Sequence, residues 1–199
     1  NLYLNELDSN NFKIKELKVV SGHDNCISKI ISTPLSNWIS VGWEGKIKIW
    51  DEQLQNTPSV INDAHTAKIT DCCLKADQQN LLTVGWDNYF KKWSIRNDNL
   101  ILDQSIDLSL PINCIDSNYE MIVVGTTGGN LQLIDDRDSS IPTTIIGNHN
   151  KWINSVKISP SNQNLLSSCG ADCSLKIWDL RWIGNSLVSV SKFDSKLVA

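Results

Sequence analysis

The chain has 199 residues, 41% of them hydrophobic and 20% charged, a composition that suits a packed globular protein and excludes a disordered or fibrous one. A formal net charge of −4 excludes a nucleic-acid-binding face set by bulk charge and leaves only a local basic patch for that role. The longest apolar runs are short and strand-like, so no membrane-spanning helix is expected.

Two strand-like runs open the chain, Asn1 to Asp8 and Phe12 to Val20. After Gly22-His23 come Ile27 to Ile31, Trp38 to Val41, Ile47 to Trp50 and Ser59 to Ile61, all rich in β-branched residues. Thr33-Pro34-Leu35-Ser36-Asn37 and Glu44-Gly45 punctuate them. The same four events recur at Ile69 to Cys73, Leu81 to Val84, Phe90 to Trp93 and Leu100 to Ile106. They recur again at Ile112 to Ile115, Met121 to Val124, Leu131 to Ile134 and Thr143 to Ile146. A last round takes Ile153 to Ile158, Leu165 to Ser168, Leu175 to Trp178 and Leu187 to Ser191. No stretch sustains a 3.6-residue period over helical length, so the chain reads as all-β with four strands to a unit. The three histidines, His23, His65 and His149, stand 42 and 84 residues apart. Trp50-Asp51, Trp93-Ser94, Ile134-Asp135 and Trp178-Asp179 keep the same beat. This is a tandem repeat.

Four-stranded units of this length, with Gly-His early and Trp-Asp late, resemble the WD-repeat β-propeller family over nearly the whole chain. The resemblance implies blades at 21–63, 64–106, 107–147 and 148–193, the third of them degenerate. Residues 1–20 then supply the third and fourth strands of a preceding blade, with Leu7 in the Trp place, and 194–199 start a next blade or form a tail. The usual ring of the family has seven blades. A ring closed on four would strand the half blade with an open edge, so further blades are expected in other sequence or in a partner chain. The sequence begins mid-pattern and Met121 is its only Met, so the natural N-terminus is expected elsewhere; no secretory signal pattern opens it.

The resemblance also implies a buried hydrogen-bonded tetrad of His, Ser or Thr, acid and Trp. The matching sets are His23/Ser40/Glu44/Trp50, His65/Thr83/Asp87/Trp93 and His149/Ser168/Asp172/Trp178. Glu44 departs from the pattern, and its extra methylene is expected to loosen the turn. The third unit offers Asp107 near the missing His, then Val124, Gly128 and Ile134. Losing all four members together is what a unit should do, because a partial set leaves buried polar groups unpaired at roughly 1–3 kcal/mol each. The histidines therefore read as structural rather than catalytic.

Most of the six cysteines, Cys26, Cys72, Cys73, Cys114, Cys169 and Cys173, occupy apolar strand positions, where cysteine acts as a small hydrophobe; a reducing intracellular compartment is expected. Cys169 and Cys173 lack a second pair at zinc-ligand spacing, and Cys72-Cys73 point to opposite faces of one strand. Gly125 to Gly129 reads as a hairpin turn with glycine at positive φ. Lys46, Lys48, Lys91 and Lys92 read as solvated edge charges. No nucleophile motif or phosphate loop appears, so the chain reads as no enzyme, with no catalytic residue, metal or cofactor. Trp43 and Trp86 precede the turn acids, Trp152 follows His149 by three beside Lys151, and Lys68 is its counterpart after His65. That aromatic and basic cluster is either a protein-interaction hot spot or a set of rings packed over neighbouring blades.

Within the family, the order Gly42-Trp43-Glu44, Gly85-Trp86-Asp87, a His-less blade ending Ile134-Asp135-Asp136-Arg137, then His149 to Lys157 resembles the large-ribosomal-subunit assembly propellers of the block-of-proliferation (PeBoW) complex. This implies a non-enzymatic scaffold for protein–protein interactions in a nuclear or nucleolar assembly. Its partners would be other proteins of the complex, with an indirect association with RNA and neither a membrane nor a small-molecule substrate. The alternative is an adaptor that recognises a peptide or histone tail within a chromatin or ubiquitin-ligase complex.

Overall fold

In a computed structural model of the chain, the described residues are 2–8, 11–18, 22–34, 37–52, 54, 56–96, 99–119, 121–135, 143–181 and 186–191. A leading antiparallel hairpin pairs β1 (Leu2–Asp8) with β2 (Asn11–Lys18). Four antiparallel meanders of four strands follow. The first is β3 (Ile27–Ser32), β4 (Trp38–Gly42), β5 (Ile47–Trp50) and β6 (Ser59–Ile61). The second is β7 (Ile69–Leu74), β8 (Asn80–Gly85), β9 (Tyr89–Arg96) and β10 (Asn99–Asp107). The third is β11 (Ile112–Ser117), β12 (Ile122–Thr126), β13 (Asn130–Ile134) and β14 (Thr143–Asn148). The fourth is β15 (Ile153–Ile158), β16 (Leu165–Gly170), β17 (Ser174–Asp179) and β18 (Ser186–Ser191). The first strands of successive sheets lie side by side, β3 against β7, β7 against β11 and β11 against β15. That is the arrangement of β-propeller blades, and no helix occurs among the described residues. Residues 194–199, Val19 and Val20 of the expected second strand, Leu35 and Ser36 of the first-blade turn, and Asp136 and Arg137 lie outside the described residues.

The core sits between blades rather than within them. Strand alternation sends successive side chains to opposite faces, so each inner blade serves two cores. Ile39, Val41, Ile47 and Ile49 of the first blade pack with Ile69, Cys72, Leu81 and Trp93 of the second. Leu82, Val84 and Phe90, from the other face of the second, pack with Ile112, Ile115, Ile122, Val124 and Ile134 of the third. Cys114, Val123 and Leu131 then meet Ile153, Val156, Leu166 and Trp178 of the fourth. The adjacent Cys72 and Cys73 thus face different cores.

Each inner strand is bulged at one equivalent residue, since pairing with the second strand slips across Ser28, Thr70, Asn113 and Asn154. A bulge turns a side chain out of the ladder. Three of these residues reach the next blade: Ser28 Oγ donates to the Ile69 carbonyl, Thr70 Oγ1 to that of Ile112 (2.7 Å) and Asn113 Nδ2 to that of Ile153 (3.0 Å). Deeper in the strands, Asp71 accepts from Ile115 N–H (3.1 Å) and pairs with Lys29. Asp116 likewise accepts from Ile158 N–H (2.8 Å) and pairs with Lys157. Blade is stitched to blade along the inner strands.

Candidate functional site

Three blades carry the same chain of donors. In the second, Trp93 Nε1–H donates to Thr83 Oγ1 (2.9 Å), and the Thr83 hydroxyl donates to His65 Nε2 (2.8 Å). His65 Nδ1–H then donates to Asp87, 2.9 Å from either oxygen. In the fourth, Trp178 donates to Ser168 (2.8 Å), Ser168 to His149 (2.7 Å) and His149 to Asp172 (3.0 Å). In the first, Trp50 donates to Ser40 (2.8 Å), Ser40 to His23 (2.7 Å) and His23 to Glu44. Indole N–H can only donate and an ionised carboxylate can only accept; a hydroxyl donating to Nε2, with the ring proton on Nδ1, satisfies every member of the chain. Burial holds the pKa of His65 and His149 below its ordinary value despite the pull of Asp87 and Asp172. Burial would raise Asp172, but hydrogen bonds from Ser174, His149 and Asn150 outweigh it and bring the carboxyl down to about 2. Both ring nitrogens of every histidine are engaged.

Glu44 does not loosen its turn. Gly45 N–H meets the Gly42 carbonyl at 3.1 Å, the same length as Gly129 to Thr126 and Cys173 to Gly170. The consequence of the extra methylene falls on the second carboxylate oxygen instead. Asp87 and Asp172 accept from the backbone N–H after the histidine, Thr66 at 3.1 Å and Asn150 at 3.0 Å. Glu44 Oε2 is buried with no partner among the described residues.

In the third blade the His position is taken by Leu108, not by Asp107. Leu108 N–H bonds to the Asn88 carbonyl just as His65 and His149 bond to Gly45 and Gly129. Leu108, Val124 and Ile134 pack together in one core. The glycine before the acid also changes. A Cβ on Gly42, Gly85 or Gly170 would sit 2.6–3.0 Å from the histidine Nδ1, whereas the third blade, with no imidazole, carries Thr126 there.

Lys48 and Lys91 are not the solvated edge charges expected of them. Lys48, Lys91 and Lys176 donate to the carbonyl just before each histidine, Gly22 (2.5 Å), Ala64 (2.6 Å) and Asn148 (2.8 Å). Lys46 lies in the turn before β5 and pairs with Asp24 at 3.1 Å. Gln132 is the third-blade counterpart, and its buried Oε1 has no partner among the described residues. Of the glycines in the 125–129 turn, only Gly129 has positive φ (84°); Gly125 belongs to β12.

Trp43, Trp86, Trp152 and Lys68 converge. They line an open groove of about 530 Å³ at the start of the inner strands, together with Cys26, Ser28, Thr70, Asn113 and Asn154. Trp43, Trp86 and Trp152 remain 41–46% exposed. The backbone explains the grouping: Trp43 N–H bonds to the Cys26 carbonyl, Trp86 to Lys68 and Ala171 to Trp152. So Trp43 and Trp86 hold one repeat position, and Cys26, Lys68 and Trp152 hold another. The Lys68 ammonium stacks 3.2 Å from the Trp86 ring centre and 4.5 Å from that of Trp43, bridging two blades. Trp86 Nε1–H donates to Asn113 Oδ1 at 3.0 Å. Lys151 is exposed and is not part of the groove wall. Among the described residues no three His, Cys, Asp or Glu side chains converge as metal ligands, and all six cysteines are free. Burial pushes the Cys72 and Cys114 thiols far up and Cys73 up to about 12.

The family model described as "WD domain, G-beta repeat" matches residues 14–51, 56–94 and 140–179. The chain belongs to the WD-repeat family. The three matched WD segments are those that carry tetrads, and the blade rebuilt around Leu108 falls between them. Among curated relatives, a ribosome biogenesis protein WDR12 homolog of Drosophila persimilis is 24% identical over 83% of this chain and 43% of its own length. Ribosome biogenesis protein ytm1 of Schizosaccharomyces pombe is 22% identical over 68% of this chain and 31% of its own. The peroxisomal targeting signal 2 receptor of the same yeast is 24% identical over 71% and 46%. This WD chain spans less than half the length of each. Two features of its WD blades escape a motif search: the bulged polar residue after the first Ile of each inner strand, and the lysine two before each closing Trp. Both recur at the repeat spacing, which is the signal that could have found them.

Proposed function

We propose that the chain is a non-enzymatic scaffold in large-ribosomal-subunit biogenesis, holding other proteins of a nuclear or nucleolar assembly on its groove-bearing face. The carrying observation is the match to a ribosome biogenesis protein across 83% of the chain. The geometry supports it from the other side. The histidines are engaged at both ring nitrogens, so they brace blades, while the exposed tryptophans have the composition of a hot spot. Further blades completing a seven-bladed ring belong to this reading, since the WDR12 homolog is more than twice as long as the segment matched. RNA would be met only through the partners.

The experiment is affinity capture of the tagged intact protein from its own cells, with Trp86→Ala and His65→Ala beside the wild type. Large-subunit precursors and assembly factors are expected with wild type. Trp86→Ala should lose them at an unchanged melting temperature, and His65→Ala should melt lower yet still bind below its transition. Capture of histones without precursors, or equal melting losses from both variants, would overturn the reading.

A further inference from the structure

We propose that the groove formed by Trp43, Trp86 and Trp152 seats an acidic peptide segment of the partner, with one carboxylate paired to the Lys68 ammonium and an adjacent apolar side chain laid against Trp152. This rests on the reading above that the face binds a protein, and it names the chemistry of what is bound.

A ring of exposed tryptophans usually invites a cation. Here that place is already filled, because Lys68 puts its own ammonium over Trp86 and within 4.5 Å of Trp43. A lysine or arginine of an incoming tail would meet like charge at the centre of the aromatic wall. A carboxylate would meet the opposite. No carboxylate lines the groove, and no ion pair joins Lys68 among the described residues. The lysines around it differ: Lys29 faces Asp71, Lys46 faces Asp24, Lys157 faces Asp116, and Lys48 and Lys91 cap backbone carbonyls. Burial lowers the Lys68 pKa. An ammonium stripped of part of its water and left without a counter-charge is completed by an anion from outside. Thr70 and Asn113 are neutral and supply no counter-charge, and they are held in place by the Ile112 and Ile153 carbonyls and by Trp86. A groove of about 530 Å³ with apolar walls holds two or three side chains, which favours a short linear segment over a folded surface.

The test is selection of a random twelve-residue peptide display library on the intact protein, followed by binding of the enriched peptides to Lys68→Gln and Lys68→Arg, each first shown to melt like wild type. Enriched sequences should carry Asp or Glu within two residues of a large apolar side chain. Affinity should fall about tenfold in Lys68→Gln and be retained in Lys68→Arg, as expected for loss or keeping of one partner of a desolvated charge pair. Enrichment of Lys or Arg, enrichment without charge preference, no enrichment at all, or equal binding to Lys68→Gln would overturn the proposal. Capture of precursors lost in Trp86→Ala alongside any of those results would leave the scaffold reading standing while the acidic segment fails. Capture unaffected by Trp86→Ala would sink the scaffold face itself.

Discussion

Glu44 shows how one methylene redistributes a hydrogen-bond network. Its first oxygen reaches His23 as an aspartate would, but its second is buried unpartnered, where Asp87 and Asp172 accept a backbone N–H. Glu44→Asp should let that oxygen accept from Asp24 N–H. Satisfying one buried acceptor is worth about 1 kcal/mol, or a rise in melting temperature of about 2–4 °C for a chain of this size. A calorimetric scan showing no rise would mean that the shorter side chain fails to reach His23. The protonation of the histidines makes a second residue-scale prediction. His65 and His149 have folded pKa values below the ordinary 6.5, so the unfolded chain binds protons first. Their contribution is complete above pH 6.5 and is lost as pH falls through the lowered folded values. Asp172, at about 2 against 3.8, adds stability above 3.8 that disappears toward pH 2. Urea midpoints should therefore fall between pH 7.5 and 5, and fall less in a His65→Gln, His149→Gln double variant. Equal falls would show that the imidazoles are not held neutral.

At the scale of the blade, the sequence is legible where rare residues keep time. Three histidines and a Trp at fixed spacing in 199 residues leave little freedom, and the alternating apolar runs place nearly every strand. The bulged Ser28, Thr70 and Asn113 are legible only through their recurrence at the repeat spacing, because a polar residue in a strand ordinarily means a solvent face and it is the register slip that turns these toward the next blade. The spacing after His65 puts Lys68 at the groove end of the sheet, but its stacking between rings of two blades depends on packing that no spacing encodes. Leu108 stands one residue past the expected Asp107, because counting back from a lost landmark has no anchor. The third blade also predicts how such a unit resists repair. Leu108→His alone puts an imidazole among Val124 and Ile134 with no partner and with the Thr126 side chain where the other blades have glycine. It should cost about 2–3 kcal/mol. Adding Thr126→Gly, Val124→Ser, Gly128→Asp and Ile134→Trp should recover at least half, measured by chemical denaturation. Additive losses through the series would show that the tetrad is not one coupled unit.

Across the whole molecule, the position of the cores decides how the chain comes apart. No blade owns a core: the second blade gives Leu81 to the junction before it and Leu82, Val84 and Phe90 to the junction after it, and the third divides Val124 and Val123 in the same way. Removing the third blade would expose one face on each of its neighbours, and the inner-strand bonds from Thr70 to Ile112 and Asn113 to Ile153 would break at the same moment. In a solenoid, nearest-neighbour coupling of this kind lets ends fray independently when junctions are weak. Here each junction buries several fully enclosed side chains, so the four blades should unfold together. Phe90 is the most informative place to cut, being fully buried at the junction between second and third blades and touching no tetrad member's hydrogen bonds. Phe90→Ala should cost about 3–5 kcal/mol through lost burial and the cavity left behind. The decisive readout is the coincidence of probes. Tryptophan fluorescence, which weights the first, second and fourth blades, and far-UV circular dichroism, which averages all strands, should shift by the same amount and stay superimposed. Separation of the two curves in Phe90→Ala would mean that the junction is a seam along which halves of the propeller unfold on their own.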